Sequence, residues 1–191
     1  MTIKASELRR GQALIYDGKL QVILGTEHVK PGKGPAYVQA KMKSVDTGTI
    51  KVNRFNSADK VESVNIDRRP MQFLYDNSGQ GIGPWVFMDN ESYDQLEIGS
   101  DTIEKDQSQW LKDGLEVLVQ MFDGNPLGIE LPASVELEIT ETTDQPKAAT
   151  ATNQLKEATV ETGARIRVPP FIGVGQVVKI NTESGEYLGK A

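Results

Sequence analysis

The sequence predicts an all-β chain made of three small modules in series. Three observations carry that reading. Short apolar runs recur between Gly, Asp and Asn turn signals, as half-buried strands do. Only one stretch, Thr102 to Asp113, looks helical, and it ends at Gly114, a helix-stop residue. The 191 residues also divide by charge into three segments. Each is roughly 60 residues, a size suited to a small barrel.

In the first segment, Gly11, Asp17-Gly18 and Gly25 punctuate Ala13-Leu14-Ile15-Tyr16 and Leu20-Gln21-Val22-Ile23-Leu24, which read as strands. Lys30-Pro31-Gly32-Lys33-Gly34-Pro35 follows. Each proline fixes its own φ at about −65° and biases the residue before it, here Lys30 and Gly34, away from the helical region. Gly32 and Gly34 lack Cβ, so the backbone beside Lys33 is free to take left-handed angles and to approach another molecule. The loop therefore has stiff ends and displays one long cation. On residues alone two readings stay open: a hairpin turn with a solvated lysine, or a presented functional lysine. A Walker loop is excluded, because Pro35 and a strand pattern follow where that motif needs Ser or Thr and a helix.

Beyond the loop, Val38, Ala40 and Met42 face a core while Gln39, Lys41 and Lys43 face outward. Asp46-Thr47-Gly48 turns the chain, and Ile50 and Val52 alternate with Lys51, Asn53 and Phe55. Lys41, Lys43 and Lys51 then form an outward row near Lys30 and Lys33. That row is either an ordinary solvated sheet face or a basic surface for phosphates, which positions a partner without reading sequence.

Basic character ends near residue 64, so the modules are expected at 1–64, 65–128 and 129–191. The middle one has strands at Met71–Tyr75, Trp85–Met88 and Leu115–Phe122, with turns at Asp76-Asn77-Ser78-Gly79, Asp89-Asn90-Glu91 and Asp123-Gly124-Asn125-Pro126. Its aromatics Phe73, Tyr75, Trp85, Phe87 and Tyr93 read as core rather than as a base-stacking platform. The last module has strands at Val135–Thr140, Ala164–Val168 and Val177–Ile180, the turn Ser184-Gly185, and between the first two an exposed excursion over 141–159.

Net charge is −6, which on average argues against nucleic acid. The distribution says otherwise. Residues 1–64 hold 11 Lys+Arg against 6 Asp+Glu, residues 65–128 hold 4 against 12, and residues 129–191 hold 6 against 9. The Lys33 loop lies in the basic segment, as expected of a polyanion-facing end. No apolar run approaches the roughly 20 residues of a membrane helix, and the N-terminus lacks a signal-peptide core. A cytoplasmic chain without a membrane partner is expected. The sequence contains no Cys, which excludes disulfides and thiolate metal sites. The one histidine, His28, reads as a strand-end residue with no nucleophile to activate. No metal site and no cofactor are expected, and among 27 Asp+Glu no acid–base pair stands out. A binding protein is favoured, and a carboxylate pair assembled only by folding is the enzymatic alternative.

The stretch His28-Val29-Lys30-Pro31-Gly32-Lys33-Gly34-Pro35-Ala36-Tyr37-Val38 resembles the signature loop of the bacterial elongation factor P family, VKPGKGxA followed by an aromatic. Further landmarks resemble the family in order along the chain: Thr47-Gly48-Thr49, Met88-Asp89-Asn90-Glu91-Ser92-Tyr93-Asp94-Gln95-Leu96, Val135-Glu136-Leu137-Glu138-Ile139, and Thr182-Glu183-Ser184-Gly185-Glu186-Tyr187-Leu188. The resemblance implies an N-terminal KOW/SH3-like barrel and two OB-fold barrels in an L-shaped, tRNA-like outline. It implies a monomeric translation elongation factor, not an enzyme. Such a factor binds the 70S ribosome beside peptidyl-tRNA, touches ribosomal RNA and relieves stalling at consecutive prolines.

On that resemblance Lys33 is the loop tip that reaches along the tRNA CCA end, supported by Lys30, Pro31, Gly32, Gly34 and Pro35. Lys41, Lys43, Lys51, Tyr187 and Lys190 are the RNA-binding candidates. In many relatives a lysine-modifying enzyme extends the tip lysine, whereas Pro35 makes this loop resemble the palindromic PGKGP subset that acts without modification. Two departures stand out. Ala148-Ala149-Thr150 replaces a Gly-Asp-Thr turn associated with the exit-site codon region, and Lys190 stands where an arginine often follows the Gly-Glu-Tyr motif. The alternatives are a specialised paralogue with a different stalling-motif preference and a general RNA-binding β module.

Overall fold

The computed structural model describes residues 1–143 and 154–191, and the Ala148-Ala149-Thr150 departure lies outside them. The described residues are all-β, 54% strand and 4% helix. Six strands form the first sheet: β1 (Thr2–Lys4), β2 (Ala13–Tyr16), β3 (Lys19–Val29), β4 (Tyr37–Ser44), β5 (Ile50–Asn56) and β6 (Lys60–Val64). Their order is β1-β6-β2-β3-β4-β5. The second sheet has β7 (Asp67–Asp76), β8 (Trp85–Asp89), β9 (Gln95–Ile98), β10 (Glu116–Phe122) and β11 (Asn125–Glu130), with the helix α1 (Lys105–Ser108) between β9 and β10. Its order is β11-β10-β7-β8-β9. The third has β12 (Ser134–Thr142), β13 (Lys156–Val160), β14 (Arg165–Val168), β15 (Val177–Asn181) and β16 (Tyr187–Lys190), in the order β14-β13-β12-β15-β16.

The described chain falls into two compact units, Met1–Arg69 with Leu118–Glu130, and Pro70–Val117 with Leu131–Ala191. In the first, Leu8, Leu14, Ile23, Ala40, Met42, Phe55 and Val61 pack as a barrel core. A second cluster joins Ala13, Val22, Leu20, Val64 and Ile66 to Phe122 and Leu127. In the second unit, Val135, Leu137, Ile139, Val160, Ile166, Val178 and Ile180 enclose Trp110. Phe73, Trp85 and Phe87 are buried as expected of core aromatics, whereas Tyr75 and Tyr93 are exposed.

Three sequence expectations are corrected. The helix proposed from Thr102 to Asp113 is a single turn, Lys105–Ser108, followed by i→i+3 contacts from Trp110 to Gln107 and from Leu111 to Ser108. Ile103, Trp110 and Leu111 are its buried residues, with polar Asp106 and Gln107 where the intervening apolar turn would have to be. A stripe that sparse cannot hold three turns.

The alternation in β5 is inverted. Met42 pairs with Lys51, Ala40 with Asn53 and Val38 with Phe55, so Phe55 is buried while Ile50 and Val52 point outward. Phe55 sets this register, packing edge-to-face on Tyr16 with ring centroids 5.4 Å apart. The excursion expected over 141–159 is strand at both described ends. Thr142 lies in β12 and Lys156–Val160 form β13, where Ala158 and Val160 are buried and Lys156 donates to the Thr143 carbonyl at 2.7 Å. Small and long-stemmed side chains fill that face without a large apolar signal.

Candidate nucleic-acid interface

β3 and β4 pair from Gln21↔Ser44 to Val29↔Tyr37, and the seven residues 30–36 span the end of this ribbon. β3 buries only the adjacent Val22 and Ile23, and a bulge between Ile23 and Gly25 shifts the register where the strand runs on toward the loop. On the far side of the loop, Ser57 N–H donates to the Ala36 carbonyl at 3.0 Å, tying the loop exit to the end of β5.

Lys33 is exposed at the loop apex, with no hydrogen-bond or ion-pair partner among the described residues. Lys30, Gly32, Gly34 and Pro35 are exposed too, and Pro31 is half-buried. Of the two glycines only Gly34 takes a left-handed angle, φ +105°. An added Cβ at Gly34 would meet nothing nearer than Pro31 Cγ at 4.0 Å, and one at Gly32 would meet nothing. Gly34 is thus required by backbone conformation, and Gly32 leaves open space beside Lys33.

The register decides which cations share a surface. Tyr37, Gln39, Lys41 and Lys43 lie on the outward face of β4, opposite Asn56, Arg54, Val52 and Ile50. Val52 is 62% exposed there. Lys51 lies on the other face with Met42, so the expected row of Lys41, Lys43 and Lys51 is broken. It lines a polar cleft with Tyr16, Lys19, Gln21, Ser44, Thr47, Thr49 and Asn53. At that end of the barrel the Ser44 hydroxyl and Lys19, which also forms an ion pair at 3.2 Å, hold the Asp46 carboxyl below its usual range.

Arg54 was not anticipated. Its guanidinium carbon sits 3.7 Å from the centroid of the Tyr37 ring, at the loop base, where the cation is desolvated on one side by an aromatic face. The signal was the pairing itself: an arginine two residues past Val52, diagonal to the aromatic that follows the loop. His28 is the penultimate residue of β3, exposed and paired with Val38.

In the second unit, Tyr187 is half-buried against the Val135–Ile180 core, which gives it a packing role of its own. Lys190 is exposed, with Nζ 5.5 Å from the ring of Phe171. No group of three or more His, Cys, Asp or Glu among the described residues is placed to hold a metal ion. No helix there is long and apolar enough to cross a membrane.

Three family models match the chain. Residues 4–61 match the elongation factor P KOW-like domain, residues 66–129 the elongation factor P OB domain, and residues 135–190 the elongation factor P C-terminal domain. Elongation factor P of Acidothermus cellulolyticus is 44% identical over 186 residues, covering 97% of this chain and 97% of that protein. Among solved structures, eukaryotic translation initiation factor 5A from Methanococcus jannaschii is 27% identical, with a TM-score of 0.40 over 69% of this chain and 94% of that one. A translation initiation factor 5A family protein from Naegleria fowleri is 16% identical, with a TM-score of 0.37 over 68% and 95%. With matches along nearly its whole length, the chain belongs to the elongation factor P family of translation factors.

Proposed function

We propose that this chain binds the 70S ribosome beside peptidyl-tRNA and stimulates peptide-bond formation, relieving stalling at consecutive prolines. Lys33 positions the CCA end of the tRNA. The observation that carries this reading is an unpartnered, exposed Lys33 at the apex of a proline-bounded loop, held at the end of the β3–β4 ribbon. The factor supplies no nucleophile and no acid or base. It holds the tRNA end in a productive geometry and so lowers the entropic part of a barrier crossed by an RNA catalyst.

Lys41, Lys43 and the Tyr37-stacked Arg54 share the outward face that leads to the loop, and cations so placed suit phosphates of tRNA or ribosomal RNA. Pro31 and Pro35 restrict the free loop, so that less entropy is lost on docking and Lys33 acts without a covalent extension. The proposed divisions are 1–64, 65–128 and 129–191, in a monomeric cytoplasmic factor.

The test is reconstituted translation of a message with consecutive prolines. Wild-type protein is expected to raise the rate of Pro–Pro bond formation, and Lys33→Ala to remove that stimulation with an unchanged melting temperature. Equal stimulation by the two proteins would take the loop out of the mechanism. Salt-sensitive ribosome binding that survives removal of residues 30–35, with no effect on proline stalls, would favour a general RNA-binding module.

A further inference from the structure

We propose that Gln120 is a positioning residue for Lys33; this rests on the function proposed above. Gln120 lies in β10 and is 3% exposed. Its Nε2 donates to the Gly11 carbonyl at 3.0 Å and to Glu130 Oε1 at 2.7 Å, so both amide protons are used. Glu130 Oε1 also accepts from Arg68 Nε at 2.7 Å. The fit around the amide is close. A Cβ on Gly11 would lie 2.8 Å from Gln120 Nε2, at a residue whose φ is +84°, and a Cβ on Gly128 would lie 3.2 Å from Gln120 Oε1. Two glycines thus make room for one buried amide.

The joint leads to the loop. Gly11 N–H donates to the Ile23 carbonyl at 2.8 Å, and Ile23 N–H donates to the Gln12 carbonyl at 2.9 Å. Ile23 lies in β3, the strand that ends at Val29 beside the Lys33 loop. Apolar contacts of Phe122 and Leu127 with Ala13 and Val22 press the same surfaces together. They are not directional, so they resist separation better than sliding. The Gln120 amide fixes the angle.

From Ile23 to Val29 the strand spans about 20 Å, so a tilt of about 3° at Gly11 moves the loop base by about 1 Å. A misplacement of that size can cost about a hundredfold where catalysis depends on position.

The test uses Gln120→Met, which keeps volume and removes both donors, in the same Pro–Pro synthesis assay. The maximal stimulated rate is expected to fall by about tenfold, with the half-saturating factor concentration changed less than about twofold. The sequence contains no Cys, so spin labels attach cleanly at engineered Lys33→Cys and Asn125→Cys sites. The distance distribution between them is expected to broaden with Gln120→Met. A lowered rate without broadening overturns the positioning role, and so does an unchanged rate when Lys33→Ala is inactive. If Lys33→Ala retains full stimulation, the proposed function fails instead. Should Gln120→Met not fold, Glu130→Ala removes one of the two acceptors. The same broadening and a smaller rate loss are then expected, and no change in either overturns the inference.

Discussion

Lys33 is the side chain on which the proposed function turns, and its environment is defined by what does not touch it. Nothing in the described chain competes for the ammonium. Pro35 acts on the loop rather than on a partner. Pro35→Ala frees one backbone angle in the unbound loop, at a cost of up to about 1 kcal/mol. The half-saturating concentration in Pro–Pro synthesis is therefore expected to rise by up to about fivefold, with the maximal rate retained. For the same reason the intact mass of protein from its native host is expected to equal the sequence mass, and an adduct on Lys33 would contradict a loop that works unextended.

Asp76 shows how a single carboxylate can organise a loop. Burial alone would raise its pKa, but hydrogen bonds from the Ser78 hydroxyl and from the backbone N–H groups of Gly81, Ser78 and Gly83 outweigh that and hold it below the usual value. The folded value is depressed, so its contribution is present above the unfolded value of about 3.9 and is lost as pH falls through the folded one. Amide exchange at Gly81 and Gly83 is expected to accelerate below about pH 3.9 once corrected for intrinsic rates. Asp76→Asn should produce the same acceleration at neutral pH, and unchanged protection in both cases would remove Asp76 from the loop's support.

At the scale of elements, period-2 patterning was legible wherever the large apolar residues settled the face, as with Val38, Ala40 and Met42 in β4. It failed in β5. Ile50 and Val52 look like core residues, but the single Phe55 decided the register and carried Lys51 to the opposite face from Lys41 and Lys43. β13 was illegible because Lys156, Ala158 and Val160 bury little apolar area each. The proposed helix failed for the opposite reason, since Trp110 satisfies the core of the second unit without one.

That packing is measurable. Trp110 is 2% exposed, its indole N–H has no hydrogen-bond partner among the described residues, and Lys112 nearby in sequence forms an ion pair with Glu161 at 2.9 Å. Trp110 is held by shape and apolar burial. Trp110→Ala is expected to destabilise by about 3–5 kcal/mol in denaturant melts. A loss below about 1 kcal/mol would mean that the cavity collapses or that the indole is not part of this core.

At the scale of the whole chain, family membership was carried by motifs spread from His28 to Leu188, whereas the joint at Gln120 was not visible. A glutamine between Val119 and Met121 and a glycine 109 positions earlier carry no mutual signal until the fold brings them to 3.0 Å. The charge asymmetry pointed to the basic N-terminal segment, and the register then narrowed the candidate surface to Lys41, Lys43 and Arg54 beside the loop. The most direct measurement is a photo-crosslink from an unnatural amino acid at position 33, with the factor on a ribosome stalled between two prolines. The account predicts labelling of the 3′-terminal nucleotides of peptidyl-tRNA. A ribosome-bound factor that labels only other RNA or protein from position 33 would contradict it.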